Sequence, residues 1–85
     1  MIRYEFTKRA DRELQRFPLE IQRRIIIKIK FYCTAPEPLH FAKKIESEEK
    51  FMYRFRIGTY RVIFEWNNDM ITVVKVAHRR EAYKA

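Results

Sequence analysis

The chain has 85 residues, of which 47% are hydrophobic, and a formal net charge of +8 from 19 Lys and Arg against 11 Asp and Glu. This length supports one core, so we expect a single domain over residues 1–85, and the hydrophobic content excludes a disordered basic tail. One Cys excludes a disulfide framework and a four-cysteine zinc site, and one Gly excludes the glycine-rich phosphate loops. Since neither a membrane-spanning run nor a signal peptide is recognisable, we expect a cytoplasmic protein that does not contact a membrane.

The first part of the chain predicts one strand followed by two helices. Tyr4 and Phe6 alternate with charged residues as in a short strand, and the Thr7 hydroxyl can cap the helix that follows. Pro18 separates this helix from the next one, because the residue before a proline avoids the α region. Each helix has an apolar stripe at helical spacing. The first stripe is Ala10, Leu14 and Phe17, and the second is Ile21, Ile25, Ile29 and Tyr32, widened by Ile26 and Cys33.

The middle of the chain gives a weaker pattern. Two prolines within residues 34–38 predict a loop, because proline cannot continue a helix. In residues 39–49, the apolar residues Phe41, Ala42 and Ile45 fit either a short helical turn or a loop on the core. The acidic residues that follow, at positions 46, 48 and 49, predict a solvated connection.

The last part of the chain predicts three strands and a polar tail. Apolar residues alternate with other residues over 53–57 and 60–66, and residues 70–77 are rich in valine. Gly58 and Thr59 form one predicted turn, and residues 67–69 form another that suits left-handed backbone. The predicted fold is therefore α+β. It consists of an N-terminal strand, an α-helical hairpin and a three-stranded antiparallel meander, with the helices packed on one face of a four-stranded sheet.

Three arginines are predicted to cluster on the face of the sheet away from the helices. Alternation places Arg54 and Arg56 on one side of their strand, and the tight turn brings Arg61 next to them. We expect all three guanidinium groups to be exposed, and packing them together is repulsive unless an anion lies between them. Their planar donors match phosphate oxygens, although an ordinary solvated surface, with Glu65 pairing one arginine, gives the same pattern.

The polar tail adds further candidates for contact with an anion. His78, Arg79, Arg80, Tyr83 and Lys84 follow the last predicted strand, and basic residues interleaved with aromatic ones suit RNA. The histidines and the cysteine lack the spacing of a metal motif, so we expect neither a metal nor a cofactor. A Tyr near the end of a chain also serves as a packing residue in many proteins.

Two segments resemble a known family. They are the run Tyr53-Arg54-Phe55-Arg56-Ile57-Gly58-Thr59-Tyr60-Arg61-Val62 and the ending His78-Arg79-Arg80-Glu81-Ala82-Tyr83. Together with the length, element order and basic charge, they resemble the RelE/ParE superfamily of toxins from type II toxin–antitoxin systems, and the RelE branch in particular. That resemblance implies a metal-independent endoribonuclease that cleaves mRNA on the ribosome, with the substrate 2′-hydroxyl attacking the adjacent phosphate.

The resemblance also implies roles for individual residues. Arg54 matches a position that stabilises charge or transfers a proton, and Arg61 matches the phosphate-binding arginine. Arg79 matches the arginine after the last strand, and Tyr83 matches a tyrosine that stacks on a base or transfers a proton. His78 lies where some branches use a histidine as acid or base. Arg56, Arg80 and Lys84 are the expected additional contacts to RNA.

Two other functions remain open for a member of this superfamily. The ParE branch inhibits gyrase and shares the fold but not the nuclease residues, and some members are inactive homologues that only bind an antitoxin. In every case the resemblance implies a hetero-oligomer with a cognate acidic antitoxin. For the nuclease, it also implies mRNA on the ribosome as a partner.

Overall fold

The computed structural model describes residues 2–45 and 52–78. Two helices and five strands form the described part of the chain. The helices are α1 (Lys8–Gln15) and α2 (Leu19–Thr34). A 3-10 turn over Pro38–Phe41 follows them. The strands are β1 (Arg3–Phe6), β2 (Ala42–Ile45), β3 (Met52–Ile57), β4 (Tyr60–Asn67) and β5 (Met70–His78).

The two helices begin and end close to the positions that the sequence predicts. The Thr7 hydroxyl accepts a hydrogen bond from the Ala10 N–H at 3.1 Å, which confirms the predicted cap of α1. Helix α1 ends at Gln15, so Phe17 lies beyond it, although its ring still packs against Tyr60 of β4 at 4.9 Å between centroids. In α2 the predicted stripe is confirmed, since Ile25, Ile29, Tyr32 and Cys33 are all buried.

The sheet has five strands in the order β1-β5-β4-β3-β2, so the prediction of four strands was wrong by one. The additional strand, β2, runs antiparallel to β3 and follows the 3-10 turn, in the segment for which only a helical turn or a loop was considered. Four residues containing two adjacent lysines show no alternation, and backbone pairing with β3 decides their conformation. The predicted meander of β3, β4 and β5 is confirmed, and β1 joins β5 in parallel.

Both predicted turns of the meander are present. Gly58 has a φ of +60°, which glycine adopts without steric strain, and it lies between β3 and β4. Asn68 and Asp69 have φ values of 43° and 62° between β4 and β5, where short polar side chains tolerate left-handed backbone. These turns set the register of the three strands.

A β-bulge changes the direction of the side chains in the second half of β5. Phe64 pairs with Val73, but the preceding residue Ile63 pairs with Lys75, so Val74 is the extra residue. One extra residue exchanges the two sides of a strand, because side chains alternate with a period of two. Beyond the bulge, Val76 therefore points toward the helices and Lys75 points away from them.

The helices cover one face of this sheet. The buried side chains on that face include Phe55, Val62, Phe64 and Val73, and Tyr32 of α2 lies 4.4 Å from Phe55 between ring centroids. Helix α1 also completes the edge of β5 beyond the end of β1, because Glu13 Oε1 accepts the Val76 N–H at 3.0 Å. The opposite face of the sheet is the one on which the arginines lie.

Candidate nucleic-acid interface

The face of the sheet opposite the helices carries cations on four neighbouring strands. We call it the basic face and define it by Lys43, Arg54, Arg56, Arg61 and Lys75. Arg56 of β3 pairs directly with Arg61 of β4, and Lys43 of β2 pairs directly with Arg54 of β3. Like charges in directly opposite positions destabilise a sheet. Two such pairs on adjacent ladders therefore form a surface that an anion would stabilise.

The basic face also has acidic residues. Glu65 of β4 pairs with Thr72 of β5, and Thr72 pairs with Glu5 of β1, so both carboxylates lie on this face. The Thr72 hydroxyl donates a hydrogen bond to Glu5 Oε2 at 3.4 Å. These carboxylates lie at the end of β4 away from Arg61, so the positive charge is concentrated near the Gly58 turn.

The bulge in β5 decides which residues of that strand join the basic face. Lys75 pairs with Ile63 and so lies on this face, whereas uninterrupted alternation would place it with Val73 toward the helices. His78 pairs with Tyr60, and the two rings meet edge to face at 5.4 Å between centroids. His78 therefore belongs to the helix side, while Arg61, one position along from Tyr60, points to the other side. Among the described residues, His78 thus lies on the side of the sheet opposite Arg54, Arg56 and Arg61.

Arg61 is buried, so the prediction that it is exposed was wrong. Only 3% of the residue is accessible to solvent, and its partner Ala77 on β5 is also buried. Its Nη1 donates to the carbonyl oxygens of Gly58 at 3.3 Å and Tyr60 at 3.1 Å. The guanidinium thus holds the β3–β4 turn and adds its charge from below the surface.

The β3–β4 turn also receives a cation from the helices. The Arg24 Nη1 atom lies 3.7 Å from the position that a Cβ would occupy on Gly58. A side chain at position 58 would therefore contact Arg24 and would also adopt a strained φ. Arg24 of α2 and Arg61 of β4 thus both lie close to the backbone of this turn.

An open cleft of about 330 Å³ lies at the outer end of the basic face. Its walls come from the end of the 3-10 turn, from β2 and from β3. They are formed by His40, Phe41, Ala42, Lys43, Arg54 and Arg56. From the sequence, His40 was weighed only as a metal ligand, and neither Lys43 nor Lys75 was predicted to belong to the site. The positions of the two lysines follow from strand β2 and from the bulge in β5. Neither of these structural features has a clear pattern in a single sequence.

Four of the predicted site residues lie outside the part of the chain that the structure describes. They are Arg79, Arg80, Tyr83 and Lys84. The acidic positions 46, 48 and 49 also lie outside it. Of the remaining candidates, Arg54, Arg56 and Arg61 share the basic face.

The buried polar groups beneath this region do not supply a second kind of site. Burial raises the pKa of the Cys33 thiol and of the Tyr32 hydroxyl, because the charged form of each group is poorly hydrated in the protein interior. Cys33 thus remains a protonated thiol that packs in the core. Within residues 2–45 and 52–78, no three of the His, Cys, Asp and Glu side chains gather as metal ligands would. None of the described helices is long and apolar enough to cross a membrane.

Comparison with known proteins identifies the family. The family model for the ParE toxin of the type II toxin–antitoxin system parDE matches residues 4–83. The toxin RelG of Mycobacterium tuberculosis is 31% identical over 81 residues, which cover 93% of this chain and 92% of RelG.

Solved structures agree with this comparison. The toxin–antitoxin complex RelBE2 of Mycobacterium tuberculosis contains a chain with a TM-score of 0.75 and 26% identity, covering 92% of this chain and 98% of that one. A chain of the RelB–RelE antitoxin–toxin complex of Methanococcus jannaschii gives a TM-score of 0.71 and 31% identity, covering 93% and 94%. The described fold, two helices on a five-stranded sheet, is that of RelE-like toxins. The chain therefore belongs to the ParE toxin family within the RelE/ParE superfamily of type II toxins.

Proposed function

We propose that this toxin is an endoribonuclease that cleaves mRNA on the ribosome. The proposal is based on two cross-strand pairs of like charge on the basic face. They are Lys43 with Arg54 and Arg56 with Arg61. Cations that lie opposite each other repel. An anionic backbone bound between them relieves that repulsion and accepts their hydrogen bonds. Two observations favour RNA as this polyanion. Relatives of this chain are named RelE, and its Arg-rich segment over residues 53–62 resembles that family.

The reaction is the transfer of a phosphate ester within the substrate. The 2′-hydroxyl oxygen forms a bond to the adjacent phosphorus while the bond from phosphorus to the 5′-oxygen breaks. The nucleophile loses a proton and the leaving 5′-oxygen gains one, which gives a 2′,3′-cyclic phosphate and a 5′-hydroxyl. Negative charge accumulates on the phosphate oxygens in the transition state, so fixed guanidinium groups stabilise that state more than the bound substrate.

The described arginines have different parts in this proposal. Arg56 is exposed and Arg54 is half-buried, and both line the cleft, so they are placed to contact phosphate oxygens directly. Arg61 is fixed by the carbonyls of its own turn and supplies a positive potential from beneath them. Arg79 and Tyr83 keep the catalytic roles that the resemblance implies. Arg80 and Lys84 remain proposed contacts to RNA.

His78 has a different standing in the proposal. The structure places it beside Tyr60 on the helix side, so it is not proposed as the acid or base at the arginines. Its imidazole packs edge to face on an aromatic ring, which fixes the end of β5.

We also propose an acidic antitoxin as the partner, because chains similar to this one are found in toxin–antitoxin complexes. Leu19 and Ile27 are each 65% exposed and, with Leu14 and Ile26, line an apolar groove between α1 and α2. Arg23 lies in the same groove. An amphipathic segment with acidic residues beside its apolar ones complements such a groove.

Inhibition of gyrase without cleavage of RNA is the second candidate, and the observation that favours it is the match to the ParE family model. Two assays with the purified chain separate the candidates. Primer extension on a message under translation should show cleavage products that carry a 5′-hydroxyl, while supercoiling by gyrase should be unaffected. Intact message together with blocked supercoiling would replace the nuclease by the gyrase inhibitor. Binding of an antitoxin with neither activity would leave the chain an inactive homologue.

A further inference from the structure

Phe41 is an aromatic side chain held at the surface beside the basic face. It is 43% exposed and lines the cleft together with Arg54 and Arg56. The exposed ring and the neighbouring cations together present a flat apolar surface next to positive charge. These two features match a ligand that has both a flat apolar part and a negative charge.

A column of aromatic rings in the core fixes the orientation of Phe41. Its ring stacks on Tyr32 at 4.9 Å with an angle of 21° between the planes. Tyr32 in turn packs on Phe55 at 4.4 Å, and Phe55 stacks on Phe64 at 4.4 Å. Since Phe55 and Phe64 are buried, the exposed ring at the end of the column is supported by the centre of the protein. Such support removes most of the ordering cost of stacking a ligand on it.

The surroundings of Phe41 supply polar and charged groups at fixed positions. The His40 ring lies perpendicular to the Phe41 ring at 5.6 Å between centroids, and its nitrogens can donate to and accept from a ligand. Exposed Lys43 and Arg56 lie on the other walls of the same cleft. An aromatic platform with a neighbouring polar ring and two cations matches the parts of one unpaired nucleotide.

We propose that this cleft is a subsite for an unpaired ribonucleotide next to the cleaved bond. Its base stacks on Phe41, its edge contacts His40, and its phosphate contacts Lys43 and Arg56. The inference rests on the proposed function, because it assigns the place of a second nucleotide of the same substrate. It also assigns a stacking residue within the described residues, separate from Tyr83.

The test uses the full chain and a single-stranded hexaribonucleotide with 2′-O-methyl groups, which cannot be cleaved because its 2′-oxygens are blocked. One position carries the fluorescent base 2-aminopurine, whose emission falls when it stacks on an aromatic ring. We expect Phe41→Leu to weaken binding by about tenfold and to abolish the fall in emission, since stacking of one base on an aromatic ring contributes about 5- to 150-fold. Phe41→Trp should retain both, which separates loss of stacking from loss of folding.

The matched control is Phe31→Leu. Phe31 is also exposed and also contacts Tyr32 and Phe41, but it is not part of the cleft, so its loss should leave binding and emission unchanged. Lys43→Gln should lower the slope of log affinity against log salt by about one, as expected for a single phosphate contact.

Three outcomes would overturn the subsite alone. If Phe41→Leu behaves like the wild type, or if Phe31→Leu weakens binding as much as Phe41→Leu, the base does not stack on Phe41. If Phe41→Leu weakens only the binding of an antitoxin, the exposed ring belongs to a protein interface. In these cases, cleavage of message on the ribosome by the wild type would keep the proposed function intact. Absence of both cleavage and RNA binding in the wild type would overturn the function and the subsite together.

Discussion

The two faces of the sheet are formed by the same strands but differ in the interactions that their side chains make. On the covered face, Phe55 and Phe64 are fully buried, and the helices provide the partners for their apolar area. On the basic face, Arg56 and Arg61 oppose each other in register, so two like charges lie side by side. One face therefore sets stability, whereas the other keeps an electrostatic cost that binding of an anion would relieve. Substitutions on the two faces should separate these effects.

The largest expected effect is on the covered face. Phe55→Ala removes a fully buried ring that packs against Tyr32 and Phe64, so we expect it to lower the free energy of unfolding by about 3–5 kcal/mol. Urea denaturation followed by circular dichroism measures this. The control is Phe31→Ala, where an exposed ring is removed and a small change is expected. A similar loss in both variants would show that the column of rings does not anchor the core.

On the basic face, Arg56→Ala should reduce cleavage of message by about 100-fold, because it removes a donor aimed at the developing charge. Its free energy of unfolding should stay the same or rise slightly, since the repulsion with Arg61 is relieved. The control is Lys30→Ala, which removes the same charge from an exposed position on α2. If both variants cleave equally well, the basic face contributes only net charge.

Arg61→Ala tests stability and cleavage in one variant. It removes the Nη1 donor from the carbonyls of Gly58 and Tyr60, so we expect a loss of about 1–3 kcal/mol in the free energy of unfolding along with a loss of cleavage. Urea denaturation and primer extension on the same preparation measure both. Unchanged stability would mean that the two hydrogen bonds contribute nothing to the turn.

The smallest expected effect concerns the edge of β5. Glu13→Ala removes the acceptor of the Val76 N–H, and we expect a loss of about 1 kcal/mol by thermal denaturation with cleavage unchanged. Glu13 also pairs with Arg9 at 3.4 Å, so Arg9→Ala is the control. Because Arg9 is exposed, its removal should cost less than about 0.5 kcal/mol. An equal loss in both variants would assign the effect to the ion pair.

Much of this fold could be predicted from the sequence, because each local signal agrees with the tertiary contacts. The Thr7 cap, the isoleucine stripe of α2, and the turns at Gly58 and residues 67–69 all have a local physical cause. Strand β2 does not, since its two adjacent lysines break the alternation and pairing with β3 determines it. The burial of Arg61 also has no local cause, because alternation gives only the side of the strand and not its depth.

The candidate site was predicted in part for the same reason. Arg54, Arg56 and Arg61 share a face because β3 and β4 pair without interruption through the tight turn. His78 was predicted as part of the polar tail near these arginines, and the bulge at Val74, which exchanges the two sides of β5, sets its ring beside Tyr60 instead. The same bulge brings Lys75 onto the basic face. A single extra residue thus determines the side on which both Lys75 and His78 lie, and the sequence of the strand contains no pattern that predicts it.

The parallel pairing of β1 with β5 has a consequence for the synthesis of this toxin. Residues 67 positions apart in the chain are hydrogen-bonded neighbours there, so β1 cannot find its place until β5 has been made. Arg61 is likewise opposite Ala77, near the end of that last strand. Contacts this distant in sequence form late in folding, because the intervening chain has to be closed first. A nascent chain in which β5 has not yet been made therefore has neither a complete sheet nor a complete basic face.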